Sequence, residues 1–257
     1  MILDRINGPK DLKTLNAAER KELAQEIRQA MLKRASIHGG HFGPDFGIVE
    51  ATIALHTVFD SPKDKIVWDV SHQVYPHKIL TGRKQAYLEE EHYDDVSGYS
   101  NPAESEHDFF EVGHTSTSIS LASGLAMARD LRGGHENIIA VIGDGSMSGG
   151  EALEGLDTVG EMGTNMIIVL NDNQMSIAEV HGGMYKGFEE LRRTGGKSEH
   201  NLFRAMGLDY RFVADGNDSE ALIKVFREVK DMDHPVVVHI VTQKKIKNPG
   251  TGICLSI

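Results

Sequence analysis

Asn137-Ile138-Ile139-Ala140-Val141-Ile142-Gly143-Asp144-Gly145, followed after 25 residues by Asn171-Asp172-Asn173, is the stretch whose reading decides the fold of this chain. The first run is apolar and β-branched up to Gly143. Met166-Ile167-Ile168-Val169-Leu170 is a second such run, delivering the asparagines. Between them, residues 147–162 carry Met147, Ala152, Leu153, Leu156 and Val159 at roughly helical spacing. Two parallel strands joined by a crossover helix bring both polar triplets to the carboxyl edge of one sheet, where open α/β folds bind ligands. The expected fold class is therefore α/β, a doubly wound, mostly parallel sheet with helices on both faces.

Residue types indicate what that edge would hold. Gly143 and Gly145 allow a tight turn and close approach to a bulky ligand. A helix starting near Ser148 would present unpaired N–H groups and a positive dipole end, which suits phosphate. Asp144 would repel a diphosphate unless a divalent cation lay between them. Mg2+ takes about six oxygens, several of them from phosphate and water. Asp144, the side-chain oxygen of Asn173 and a backbone carbonyl just beyond would complete such a set. A dinucleotide fingerprint fits less well, because Ser148 stands at the third glycine position and no cation would offset Asp144. A plain strand-to-helix turn would explain the glycines but not the asparagine triplet at the next strand end.

The remainder reads as alternating helices and strands. Residues 17–38 form an amphipathic helix with Leu23, Ile27, Ala30 and Met31 on one side, ended by Gly39-Gly40. Residues 46–59 suggest a second helix and 66–70 a strand leading to His72. Residues 84–101 read as polar surface loop with a short helix. Thr115-Ser116-Thr117-Ser118 offers capping hydroxyls ahead of an apolar helical run. Residues 181–197 are glycine-rich and charged and read as mobile. Then come a strand at 209–213, a helix at 219–229 and a β-branched buried strand at 235–241.

With 257 residues, the chain has ample length for a core. A formal net charge of -11 argues against nucleic acid or an anionic membrane as partner. It also means that an anionic ligand must be held by local dipoles and metal. The single cysteine, Cys254, permits no intrachain disulfide; with no signal-peptide pattern and no apolar span of about 20 residues, a cytoplasmic location is expected. Among 13 histidines, His56, His92, His135 and His234 read as packing or solvated residues. A zinc cluster of His38, His41, His72 and His77 lacks the tight helical pairing such sites use.

Beyond the two triplets, five segments carry a family resemblance: 36–41 (Ser-Ile-His-Gly-Gly-His), 68–83 from Trp68 to Arg83, 105–108 (Ser-Glu-His-Asp), 113–118 (Gly-His-Thr-Ser-Thr-Ser) and 171–177. Together they resemble the 1-deoxy-D-xylulose-5-phosphate synthases, transketolase-type thiamine-diphosphate enzymes, over about residues 1–243. The resemblance implies a thiamine-diphosphate-binding fold over 1–243, with metal ligands Asp144, Asn173 and the backbone carbonyl of Met175. It implies cofactor contacts from His72, Gly113, His114, Thr115, Gly145, Ser146 and Asn173. It also implies a proton relay by His41 beside the reacting carbon, a task suited to imidazole. The implied reaction joins pyruvate to glyceraldehyde 3-phosphate, with thiamine diphosphate and Mg2+, toward isoprenoid and thiamine precursors, in a homodimer.

Two departures qualify those expectations. The stretch between Asn173 and Asn201 is short for the family, and Asn217 stands where a histidine is usual, which marks a short-form subgroup. Residues 244–257 replace the usual glycine-rich loop, and read as a truncated or frame-slipped tail without the pyrimidine-binding and carboxyl-terminal domains. Alone, such a chain is expected to be weakly active or inactive. The alternatives are the amino-terminal subunit of a split transketolase-like enzyme, completed by a separate pyrimidine-domain chain, and a non-catalytic module.

Overall fold

A computed structural model describes residues 1–41, 43–174, 181–243, 245–247 and 254–256. Five parallel strands form the central sheet: β1 (Lys65–Trp68), β2 (Ile138–Gly143), β3 (Ile167–Asp172), β4 (Asp209–Val213) and β5 (Val236–Val241). Their spatial order is β1-β2-β3-β5-β4. The helices that matter for the site are α1 (Ala17–His38), α2 (Val49–Val58), α3 (Tyr75–Lys78), α4 (Ser118–Leu131), α5 (Asp144–Met147), α6 (Gly150–Met162), α7 (Gly183–Arg193) and α8 (Ser219–Val229).

The period-two alternation of the strands splits the core into two layers. Ile139, Val141, Ile167, Val169, Val236, Val238 and Ile240 face α2 and α8. Ile138, Ala140, Ile142, Ile168, Leu170 and Val237 face α4, α6 and α7. Both faces of the sheet are covered, as the doubly wound reading requires. A third cluster joins α1 to Leu3, Ile6, Leu12, Tyr75, Ile79 and Tyr87. No helix among the described residues is long and apolar enough to cross a membrane. In the tail, Lys245–Lys247 pairs antiparallel with Cys254–Ser256.

Several elements differ from their sequence reading for local reasons. The strand expected at 66–70 ends at Trp68, because Val70 and Ser71 take left-handed backbone angles, φ 57° and 58°. The helix expected at 46–59 is interrupted at Ile48. The one expected at 147–162 is two helices, and the break at Ser148-Gly149 has a steric cause described below. Residues 183–193, read as mobile, form α7. Phe188 and Leu191 on its inner side are buried against Phe203 and the sheet, and that contact outweighs the glycines. Residues 84–101, read as surface loop with a short helix, hold short helices at Gln85–Leu88 and Glu90–His92 and a segment that reaches His41.

Residues 97–108 are pinned by a buried polar network. Asp108 accepts from Arg83 at 2.7 and 3.0 Å, from His77 Nε2 at 3.0 Å and from the Asn101 backbone at 2.9 Å. Since a carboxylate can only accept, His77 carries its proton on Nε2, and its Nδ1 accepts from His56 Nε2 at 2.9 Å. Lys78, fully buried, meets Glu104 at 2.6 Å and the Ser97 carbonyl at 2.8 Å. His107 bonds Ser61 at 2.8 Å.

Burial lowers the pKa of His56 and His77 and brings His107 down to about 4, aided there by the neighbouring His77. These imidazoles stay neutral in the fold while the unfolded chain protonates near pH 6.5, so folding stability falls as pH drops from about 6.5 toward 4. Denaturant midpoints at pH 7 and pH 5 should show this loss, and His107→Gln should reduce the difference between them. Asp108→Asn should cost about 3–5 kcal/mol at pH 7 by removing the carboxylate that both Arg83 and His77 bond, leaving Arg83 only its longer contact with Glu104, measurable in the same titration.

Candidate active site

The site is built where loops leave the carboxyl ends of β1, β2 and β3. Gly143, the last residue of β2, lies opposite Asn171 of β3 in the parallel ladder. Asp144 follows directly, and Asn173 sits two residues beyond Asn171, so both lie on one rim across neighbouring strands about 4.8 Å apart. Asp144 is buried and Asn173 half-buried. A Cβ placed on Gly143 would meet nothing within 4 Å, which leaves room above the strand end. Gly145 and Ser146 lie in the single turn of α5. The phosphate-facing helix start expected near Ser148 is therefore divided between α5 and α6.

The β3 end is held from behind. Asp172 is fully buried and accepts from Arg192 of α7 and from His239 Nε2 at 2.8 Å; Tyr210 bonds His239 Nδ1 at 2.7 Å. Burial alone would raise the Asp172 carboxyl, but the His239 hydrogen bond and the charges of His239 and Arg192 outweigh it and hold the pKa below the usual range. Thr242 bonds the Asn171 side chain at 2.6 Å. This chain of groups fixes the asparagine triplet in place. Its sequence signal was a lone histidine inside Val236-Val237-Val238-His239-Ile240-Val241, a polar residue in an otherwise apolar strand.

The loop before α4 is capped differently from the expected hydroxyls. Thr117 makes no side-chain cap. Instead Asp69, buried at the end of β1, accepts from the backbone N–H of Ser116 at 3.0 Å and Ser118 at 2.9 Å. This carboxylate satisfies helix-end donors across 47 residues of sequence, which no local pattern reveals. Ser116, at φ 72°, donates its hydroxyl to the Ser146 carbonyl at 2.8 Å and so ties this loop to the Asp144 loop. A Cβ on Gly149 would fall 1.9 Å from Ser116 Oγ; this close approach requires glycine and splits α5 from α6.

His41 and His72 meet edge to face with ring centroids 5.7 Å apart. Tyr99, absent from the sequence reading because its surroundings are polar, stands 4.9 Å from the His41 ring, and a Cβ on Gly113 would lie 3.8 Å from it. Thus His41, His72 and Gly113 share one wall. His114 and Thr115 are exposed beside it, with His114 Nδ1 2.8 Å from the Thr115 carbonyl. Burial lowers the His41 pKa, opposed in part by a Gly98 backbone hydrogen bond, so the ring is neutral and able to accept a proton near pH 7. Met175 lies outside the described residues. Val70, Ser71, Ser116 and Gln174, all at this rim, adopt positive φ, a concentration of backbone strain of about 1–3 kcal/mol each.

The zinc reading finds no support in the geometry. His38 pairs with Asp94 and His77 with Asp108, while the grouping of three potential ligands found among the described residues is Glu89, Glu91 and His92 on the surface.

Comparison with known proteins agrees with this architecture. A family model described as 1-deoxy-D-xylulose-5-phosphate synthase matches residues 3–198 and 194–242. A synthase of that name from Desulfitobacterium hafniense is 43% identical over 279 residues, covering 95% of this chain and 44% of the relative. The second such synthase of Geobacter sulfurreducens is also 43% identical, over 95% of this chain and 45% of its own length. The chain thus spans a little under half the length of these curated relatives. Among solved structures, transketolase from Campylobacter jejuni superposes with a TM-score of 0.70 at 17% identity, covering 93% of this chain and 40% of that one. Transketolase from Leishmania mexicana gives 0.68 at 19%, over 87% and 36%. At such identities these two show the fold alone.

Gly149→Ala should destabilise the chain by about 1–3 kcal/mol through its clash with Ser116. Adding Ser116→Gly, which also suits the left-handed angle there, should restore part of that loss in a denaturant titration.

Proposed function

Because the chain belongs to the 1-deoxy-D-xylulose-5-phosphate synthase family, we propose that it forms the diphosphate-binding region of an enzyme that joins pyruvate to glyceraldehyde 3-phosphate, with loss of carbon dioxide, to give 1-deoxy-D-xylulose 5-phosphate. The observation that supports this reading is the β2–β3 pairing, with Gly143 opposite Asn171, which puts Asp144 and Asn173 beyond the same ends of neighbouring strands, with open space above Gly143. A carboxylate and an amide oxygen are hard ligands that suit Mg2+, and the remaining positions go to phosphate and water.

In this reading Asp144, Asn173 and the Met175 carbonyl hold Mg2+. Gly145 and Ser146 contact the diphosphate from the first turn of α5, His72 reaches it from the β1 loop, and Gly113, His114 and Thr115 border it from the loop before α4. When bound, thiamine diphosphate supplies the electron sink for carbon–carbon bond cleavage and formation. His41, neutral and half-buried, takes and returns protons at substrate oxygens. Tyr99 and His72 restrict where its ring can lie. With a net charge of -11 the chain has no basic field to attract the anionic cofactor, so the cation and local backbone groups must do so.

We assign the full reaction to this region together with the remainder that its longer relatives carry, whether that lies in the same polypeptide or in a partner, and to a dimer of such units. A pyrimidine-binding part would act on the ring end of the cofactor. The described region by itself would then bind the cofactor with little or no turnover.

Thermal-shift measurements should show a rise in Tm with thiamine diphosphate plus Mg2+ together and a smaller rise with either alone. Asp144→Ala should abolish the Mg2+-dependent binding seen by calorimetry; an unchanged titration removes Asp144 as a ligand. In the complete enzyme, His41→Ala should lower kcat by roughly a hundredfold while cofactor affinity stays near wild type. Equal losses in binding and rate would assign His41 to placement of the cofactor.

A further inference from the structure

We propose that Tyr75 is the positioning residue of His41: its phenol oxygen holds the Gly40–His41 backbone and so aims the imidazole along the rim. The proposal rests on the reading of His41 as a proton-transferring group. The His41 backbone N–H donates to the Tyr75 hydroxyl at 3.1 Å. Gly40 has φ +119°, and a Cβ there would lie 2.7 Å from the same oxygen. Gly98 also approaches, and a Cβ there would stand 3.6 Å from that oxygen and 3.4 Å from His41 Cε1. One buried hydroxyl is thus the meeting point of two backbone segments far apart in sequence, residues 40–41 and Gly98.

Tyr75 can serve this purpose because it is itself immobilised. Its backbone N–H donates to Asp45 at 3.0 Å, and Asp45 is wholly buried, which pushes its carboxyl well above the usual range. The Tyr75 ring packs against Tyr87, centroids 5.3 Å apart. The buried Arg34 guanidinium lies 5.4 Å from the Tyr75 ring, 5.0 Å from Tyr87 and 5.7 Å from Tyr93, and donates to the Tyr93 carbonyl at 2.8 Å. Three aromatic faces around one desolvated cation form a stiff mount. An ordinary apolar core would have served stability alone. What the tyrosine adds over phenylalanine is the oxygen that meets the His41 backbone.

Tyr75→Phe keeps the ring and its cation contact while removing that oxygen. On the full chain, nuclear magnetic resonance should then show the His41 amide exchanging roughly fivefold faster or more, as expected for one lost hydrogen bond. The His41 ring, freed toward solvent, should titrate higher by roughly half a unit or more. Calorimetry should find the affinity for thiamine diphosphate with Mg2+ within about threefold of wild type, because no metal or diphosphate contact is removed. Gly40→Ala, whose Cβ would press on that oxygen from 2.7 Å, should disturb the same two His41 signals and provides the reading if Tyr75→Phe is poorly folded. Unchanged His41 exchange and titration in the folded variants overturn the proposal. If they shift as expected but His41→Ala in the complete enzyme leaves turnover unaltered, the positioning stands and the proton-transfer reading of His41 falls.

Discussion

The parallel pairing of β2 with β3, with Gly143 opposite Asn171, is the constraint on which the rest of the site depends. It converts two short polar motifs 25 residues apart into neighbours on one rim. The pairing is secured by burial on both sides, since alternate residues of each strand enter different apolar layers. A shift of register by one residue would turn every one of those side chains to the wrong face. The strands that carry the rim are therefore held by the whole core.

On that base, each loop is tied to another by a polar group placed at long range. Asp69 takes the helix-end donors of α4, Ser116 ties that loop to Ser146, and Arg192 and His239 converge on Asp172. Buried carboxylates of this kind are costly unless their partners are present, so each loop's conformation depends on the others. Positive backbone angles at Val70, Ser71, Ser116 and Gln174 lie within the same frame. Their strain is tolerated because these surrounding contacts over-determine the conformation.

The network of His56, His77, Lys78, Arg83, Glu104 and Asp108 extends the same logic to the wall that carries Tyr99. It fixes residues 97–108, and through Gly98 and Tyr99 it bears on His41. This wall is also joined to the loops of the rim through Ser71, which accepts from the Ser100 backbone N–H and donates to the Val112 carbonyl.

Much of the architecture was legible in the residues themselves. Apolar runs of β-branched type, a helical spacing between them and the two polar triplets determined the α/β class, the parallel crossover and the rim on which Asp144 and Asn173 lie, because those features follow from local periodicity and the short menu of connections. Family-like segments brought His41, His72 and residues 113–115 to attention. What only the tertiary structure decided was how these groups are held. Asp69 as a cap, Gly149 yielding to Ser116, Tyr99 and Tyr75 around His41, and residues 183–193 as a packed helix all arise from contacts across tens of residues. Such contacts leave no periodic trace along the chain, because their energy depends on burial and distance that exist only once the layers have closed.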